Sequence, residues 1–208
     1  MMILLIGASG MVGSRILAEA VARGHEVAAA ARNPEKIART GGVAAVKVDV
    51  ADGAALKPLA EAADVIVAAV APRSSGDAVA EAKANGAALM AAAAAAGKRL
   101  VMVGGAGSLN LPDGSAVLDH VPEAYRAEAA GMKAVFGALK DSALDWTFFA
   151  PAGMIAPGTR TGVFRLGRDV LISAADGSSS ISAEDYALAL VDELERPANR
   201  RTIMTIGY

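Results

Sequence analysis

The chain contains no cysteine, which excludes disulfide bonds and thiol catalysis and says little more about compartment. Aromatic residues make up only 4% of its 208 residues, although the hydrophobic fraction reaches 54%. Alanine supplies much of that fraction, a composition suited to helices packed closely against a sheet. No apolar run approaches the roughly 18 to 20 residues of a membrane-spanning helix, and the alanine tract 91–96 falls far short. No basic flank precedes the first apolar stretch, so that stretch is expected to be a strand and not a signal peptide, and a cytoplasmic protein is expected. An excess of either charge is also missing. A net charge of −2 provides no general attraction to nucleic acid or to an anionic membrane, so neither is expected as a partner. Any anionic ligand must be held by local geometry.

What is present is organised around residues 2–13, MILLIGASGMVG. Ile3 to Ile6 is a short all-apolar run suited to a strand buried on both faces, and it stops at Gly7. Glycines follow at 7, 10 and 13, with Ser9, Met11 and Val12 between them. Ile16, Leu17, Ala20 and Val21 then recur at helical spacing, and Gly24 stands where a left-handed cap ends the helix. Strand, glycine turn and helix together make a phosphate site. The turn is tight, the backbone approaches a ligand without Cβ atoms in the way, and free N–H groups at the positive end of the helix face a pyrophosphate.

The remaining chain alternates strand-like and helix-like segments at the spacing of βαβ units. Strands are expected at 26–31, 43–50, 65–70, 100–103 and 146–150. Helices are expected from Asn33-Pro34, from the cap Asp52, over about 77–96 with Gly86 as a weak point, and over 122–140. This predicts a single α/β domain, a Rossmann-type doubly wound parallel sheet with helices on both faces. Residues 1–152 would form the cofactor-binding core. Residues 153–208 would add a small appendage: a hairpin of 163–166 with 170–172 around Gly167, a helix opened by a Ser182/Asp185 capping box, and a last strand at 202–206.

In an open α/β sheet, ligands lie outside the carboxyl ends of the strands. Gly7, Arg32, Asn33, Asp49, Val50, Ala69, Val70, Ala71, Gly104 and Pro151 fall there and are the candidate cofactor-binding residues beyond the glycine turn. The end of the second strand is the most informative. A carboxylate there holds the ribose hydroxyls of NAD, whereas a cation accommodates the 2′-phosphate of NADP. This chain has Ala28 to Ala31, no acid, and then Arg32, so NADP(H) is the expected cofactor, with Arg39 or Arg15 as alternative cations. Asp49 is a candidate acceptor for the adenine amino group, and Asp52 is a helix cap. No metal ligand set is nominated.

GASGMVG at the start, ARNPEK after the second strand, VGGAGSL after the fifth, LDWTFFAP at the sixth and ISAEDYALALVDELE near the end resemble the atypical short-chain dehydrogenases. The group in question is the NAD(P)H-binding one that includes flavin-reductase-like and NmrA-like proteins. The resemblance runs nearly the full length. It implies a Rossmann-fold NADP-binding protein that either reduces flavins, quinones or similar acceptors, or binds the cofactor without turning it over.

One departure from the larger superfamily matters for mechanism. Typical short-chain dehydrogenases use a tyrosine with a lysine four residues on, so that the ammonium eases proton exchange by the phenol. Here Tyr125 is followed at that spacing by Ala129, and Tyr186 by Leu190. Lys133 lies roughly 12 Å along a helix axis from Tyr125, too far to substitute. Carbonyl chemistry by that route is not expected, whereas a conjugated acceptor delocalises the added charge and takes its proton from water. Ser108 and Tyr125 are the catalytic candidates near the nicotinamide, and His120 is a candidate wall of the acceptor pocket. The loop 106–121 is read as a lid or pocket wall. Only about 55 residues follow the sixth strand, too few for the larger C-terminal substrate domain of sugar-nucleotide epimerases. Two readings follow: an NADPH-dependent reductase of a small conjugated acceptor, or a non-catalytic NADP(H)-binding redox sensor.

Overall fold

The computed structural model describes residues 1–208. The leading strands are β1 (Met2–Ile6), β2 (Glu26–Ala31), β3 (Val43–Lys47), β4 (Val65–Ala68), β5 (Arg99–Val103) and β6 (Trp146–Ala150). They pair in parallel in the order β3-β2-β1-β4-β5-β6. The chain runs outward from β1 to β3 and then returns to build the other half from β4, so a crevice opens between β1 and β4. That is the Rossmann-type arrangement. Strand composition explains the central positions. Every residue of β4 and β6 is buried, and only near-continuous apolar runs withstand burial on both faces. The edge strand β3 is largely exposed.

Five helices cover the two faces: α1 (Met11–Ala22), α2 (Gly53–Ala62), α3 (Ala78–Ala96), α4 (Glu123–Lys140) and α5 (Ala183–Glu195). Ile16 and Leu17 of α1 join Tyr186, Leu190 and Leu194 of α5 over Ile3, Leu5 and Val67. Leu56 of α2, Leu89 of α3, and Val135 and Leu139 of α4 cover Leu4, Ile6 and Ile66 on the opposite face. The two clusters hold 24 and 25 buried residues, so neither side of the sheet is left to solvent. Gly86, expected to weaken α3, does not interrupt it. A Cβ there would lie 2.9 Å from both methyls of Val135, so the missing side chain is what lets α3 and α4 approach.

The C-terminal segment completes the sheet. It contributes β7 (Met154–Ala156), β8 (Arg165–Gly167), β9 (Ser180–Ser182) and β10 (Thr202–Gly207). β10 pairs in parallel with β6, and β8 lies antiparallel on β10, giving eight strands in one sheet. β7 and β9 form a separate two-stranded parallel sheet.

Three expectations are corrected. The hairpin of 163–166 with 170–172 does not form: β8 pairs with β10, while Asn110 takes the other segment, accepting from Leu171 N and donating to Asp169 O at 2.8 Å each. After Asn33 only one 3₁₀ turn, Pro34–Lys36, is helical. The capping box is half made. Ser182 Oγ accepts from Asp185 N, but the Asp185 carboxylate turns away to accept from Thr161, Gly162 and the Tyr208 hydroxyl.

Candidate functional site

The glycine turn divides into residues the protein itself needs small and one the groove needs small. Gly7 has φ +87°, and a Cβ on it would lie 2.2 Å from Ala69 O. A Cβ on Gly13 would lie 2.1 Å from Gly7 O. These two glycines clamp the turn against the end of β4 and draw α1 onto the turn. Gly10 differs, because the nearest protein atom to its Cβ position is Gly7 O at 3.3 Å, and the residue lines open space. α1 has no side-chain cap. Gly10 N donates to Gly7 O at 3.0 Å and Ser14 N to Gly10 O at 2.9 Å, whereas the N–H groups of Met11, Val12 and Gly13 between them have no acceptor. An uncapped helix start beside an open groove fits the pyrophosphate of a dinucleotide.

Two cavities lie across the carboxyl ends of the strands and share Gly10, Ala69, Val70 and Ala71, so they form one continuous groove over the β1–β4 crevice. The smaller, about 340 Å³, is lined by Gly7, Ser9, Arg32, Asn33, Asp49 and Val50 together with Lys36, Ser74, Glu81 and Asn85. Neither Arg32 nor Lys36 has a hydrogen-bonding or ion-pair partner for its side chain, so both charges face the cavity free. Arg15 is occupied by Glu184 at 3.1 Å, and neither it nor Arg39 lines the groove. Asp49 Oδ1 accepts from Ala51 N at 3.0 Å, which makes a turn past the end of β3. Glu81 is tied down by Ser74 and Ser75. Burial works against its charge, but the hydrogen bonds from these serines prevail and hold the carboxyl at about 2.

The larger cavity, about 580 Å³, continues past Met11 and Val12 to the ends of β5 and β6, at Gly104 and Pro151. Val117, Val121, Met132, Ile155 and Leu171 give it an apolar wall. Residues 109–122 form part of that wall, and the backbone of Asn110 stitches them to 169–171, so this segment is tied down at one end. Arg73, His120, Tyr125 and Glu128 stand among the lining residues. Tyr125 is 62% exposed near the start of α4, with no partner for its hydroxyl and no lysine beside it. Tyr186 is remote from this chemistry: it is fully buried, stacked on Phe149, and donates to Phe149 O at 2.6 Å. Burial pushes its phenol well above the ordinary value.

Ser108 needs correction. It is buried behind the wall formed by Gly105, Ala106 and Gly107, and its Oγ has no partner, neither its own backbone nor the cavity. Gly13 is likewise a packing glycine and not part of the lining. Sequence reasoning missed Lys36, Ser74, Glu81, Asn85, Arg73 and Glu128. Of these only Lys36 carries a local signal, four residues past Arg32 across the Pro34 turn. Ser74 reaches the groove from the β4–α3 loop, and Glu81 from the first turn of α3, where Ser74 and Ser75 hold it.

Residues 7–197 match the family model described as NAD(P)H-binding. The uncharacterized protein YwnB of Bacillus subtilis is 36% identical over 212 residues, covering 97% of this chain and 96% of that protein. A crystal structure from Bacteroides thetaiotaomicron, provisionally named an epimerase, is 38% identical with a TM-score of 0.93, covering 100% of this chain and 96% of the other. A Streptococcus pneumoniae structure, provisionally named an NADH-flavin reductase, is 29% identical with a TM-score of 0.88 and coverages of 100% and 99%.

Proposed function

We propose, from the premise that this chain belongs to the NAD(P)H-binding family, that it is an NADPH-dependent reductase of a small conjugated acceptor such as a flavin or quinone. The observation that carries the reading is the asymmetry of the groove. One end offers two unpaired cations, Arg32 and Lys36, and the other an apolar chamber without a tyrosine–lysine pair. The cations favour the phosphorylated cofactor over NAD, because a guanidinium and an ammonium match a 2′-phosphate. When bound, NADPH supplies a hydride from its nicotinamide ring, and one proton from water completes a two-electron reduction of the acceptor.

The residues of the chain have the simpler task of orientation. The amides of Met11 and Val12 would hold the pyrophosphate, and Gly104 and Pro151 would flank the nicotinamide. Val117, Val121 and Leu171 would press a flat acceptor against it and exclude water. An epimerase must also remove and return an alcohol proton, for which Tyr125 without a lysine one helical turn on is poorly equipped; the likeness to the Bacteroides protein therefore carries less weight here than the likeness to the reductase. A small-molecule acceptor in the cytoplasm, without nucleic acid or membrane, belongs to the same reading. No helix is long and apolar enough to cross a membrane.

The test is oxidation of NADPH, followed at 340 nm, with riboflavin, FMN, menadione and other small quinones as acceptors. Acceptor-dependent bleaching supports the reductase. Tight NADPH binding with no oxidation by any acceptor would instead favour a redox sensor.

A further inference from the structure

The larger cavity also narrows the acceptor, an inference that rests on the reductase reading. Its lining carries no serine, threonine, asparagine or glutamine. Apart from Arg73, His120, Tyr125 and Glu128, every lining side chain is apolar or absent. Arg73 is therefore the one permanent cation available to an anionic acceptor, and it is already engaged. Its Nε and Nη2 donate to the two carboxylate oxygens of Glu128 at 2.9 and 3.0 Å, a fork-to-fork pair that takes one edge of the guanidinium and offsets its charge. The pair holds the Arg73 guanidinium above its ordinary value, chiefly through the Glu128 hydrogen bonds. Arg73 is 71% exposed and Glu128 28%, so the carboxylate is the more deeply set of the two.

We propose that this cavity selects acceptors without a phosphate group, riboflavin-like or quinone-like rather than FMN-like, and that Glu128 sets the selection by occupying Arg73. A phosphate tail leaving the chamber past this pair would meet a guanidinium whose charge Glu128 already offsets, and would stand beside that carboxylate in a wall with no other permanent cation. An uncharged ring system meets neither obstacle, and the apolar wall favours it. Glu128 is thus a specificity-determining residue whose effect depends on the charge of the acceptor and not on its ring.

The experiment measures affinity by quenching of flavin fluorescence, titrating riboflavin and FMN against the protein saturated with NADP⁺, so that no turnover is required. The wild type is expected to bind riboflavin more tightly than FMN by about fivefold or more, the factor that one unit-charge interaction at about 4 Å produces when fully screened by bulk water. Glu128→Gln frees the guanidinium, and the preference should fall to near one through tighter FMN binding. Arg73→Gln leaves the carboxylate unneutralised, so the preference should widen. A purely structural role for the pair would move both flavins together in both variants. Equal affinities in the wild type, an unchanged ratio in Glu128→Gln, or no binding of either flavin overturns the proposal. Failure to oxidise NADPH with every acceptor, while riboflavin still binds selectively, would count against the reductase reading alone.

Discussion

Gly10 and Gly13 sit three residues apart in the same turn, and replacing each by alanine should separate ligand binding from folding. At Gly10 the backbone φ is −76°, which alanine adopts freely, and the new methyl meets protein only at Gly7 O, 3.3 Å away. Alanine is a poorer helix cap than glycine, but it also restricts the unfolded chain, and these terms of opposite sign leave a net change within about 1 kcal/mol. The melting temperature should therefore move by no more than about 2 to 4 °C for a chain of this size. The methyl does project into the groove, where the pyrophosphate must lie against the turn, so NADPH affinity should fall at least about tenfold; Gly10→Val should abolish it. At Gly13 the methyl would sit 2.1 Å from Gly7 O, which forces α1 off the turn. Overpacking of this kind costs about 1 to 3 kcal/mol, or roughly 2 to 12 °C in melting temperature. Calorimetric titration and thermal melting of both variants decide the matter. If Gly10→Ala binds NADPH like the wild type while keeping its fold, the groove is not where the cofactor lies.

Arg32→Ala should weaken NADPH binding about tenfold or more, the value of a charge-assisted contact of about 1.5 to 3 kcal/mol, and leave NADH nearly unchanged; equal losses by calorimetry would remove Arg32 from the 2′-phosphate site. Tyr125→Phe should cost little in acceptor reduction, because the hydroxyl has no partner and no adjacent lysine; a collapse of turnover at 340 nm would mean that another cation serves it. Asp185 links acid stability to the C-terminal segment. Burial opposes its charge, but hydrogen bonds from Thr161, Gly162 and Tyr208 outweigh it and hold the carboxyl below its ordinary 3.8. A lowered folded-state value means that the stabilisation is fully present above about pH 4 and is lost as pH falls further. Melting temperatures from pH 7 to 3 should therefore show a shallower acid decline in Asp185→Asn than in the wild type, and parallel curves would refute the assignment.

The legible parts of this chain are those where local pattern and global fold coincide. β2 and β6 stand at Glu26–Ala31 and Trp146–Ala150, as read from the sequence, because Gly24 and Pro151 punctuate apolar runs that are buried on both faces. The caps at Asp52 and Ser182 accept from amides three residues on, as short polar side chains before helical runs do. The misread parts depend on partners distant in sequence. Residues 163–172 carry the local pattern of a hairpin, yet β10 and Asn110, roughly 40 and 60 residues away in sequence, take their backbone groups; no short-range signal encodes such pairing. The candidate site divides the same way. The glycine turn and Arg32 lie within one βαβ unit and could be read from spacing. Glu128 reaches the cavity from α4 and Glu81 from α3, so only the packing of those helices reveals them. Ser108 looked available because it follows a strand end, but the turn from Gly105 points its hydroxyl into the protein.

A crystal structure of the protein soaked with NADP⁺ is the most direct test. The pyrophosphate is expected over the amides of Met11 and Val12 beside Gly10, the 2′-phosphate within hydrogen-bonding reach of Arg32 and Lys36, and the nicotinamide at the Gly104–Pro151 end of the groove with the apolar chamber open beside it. Density for the cofactor outside this groove, or in it with the nicotinamide over Arg32, would contradict this placement.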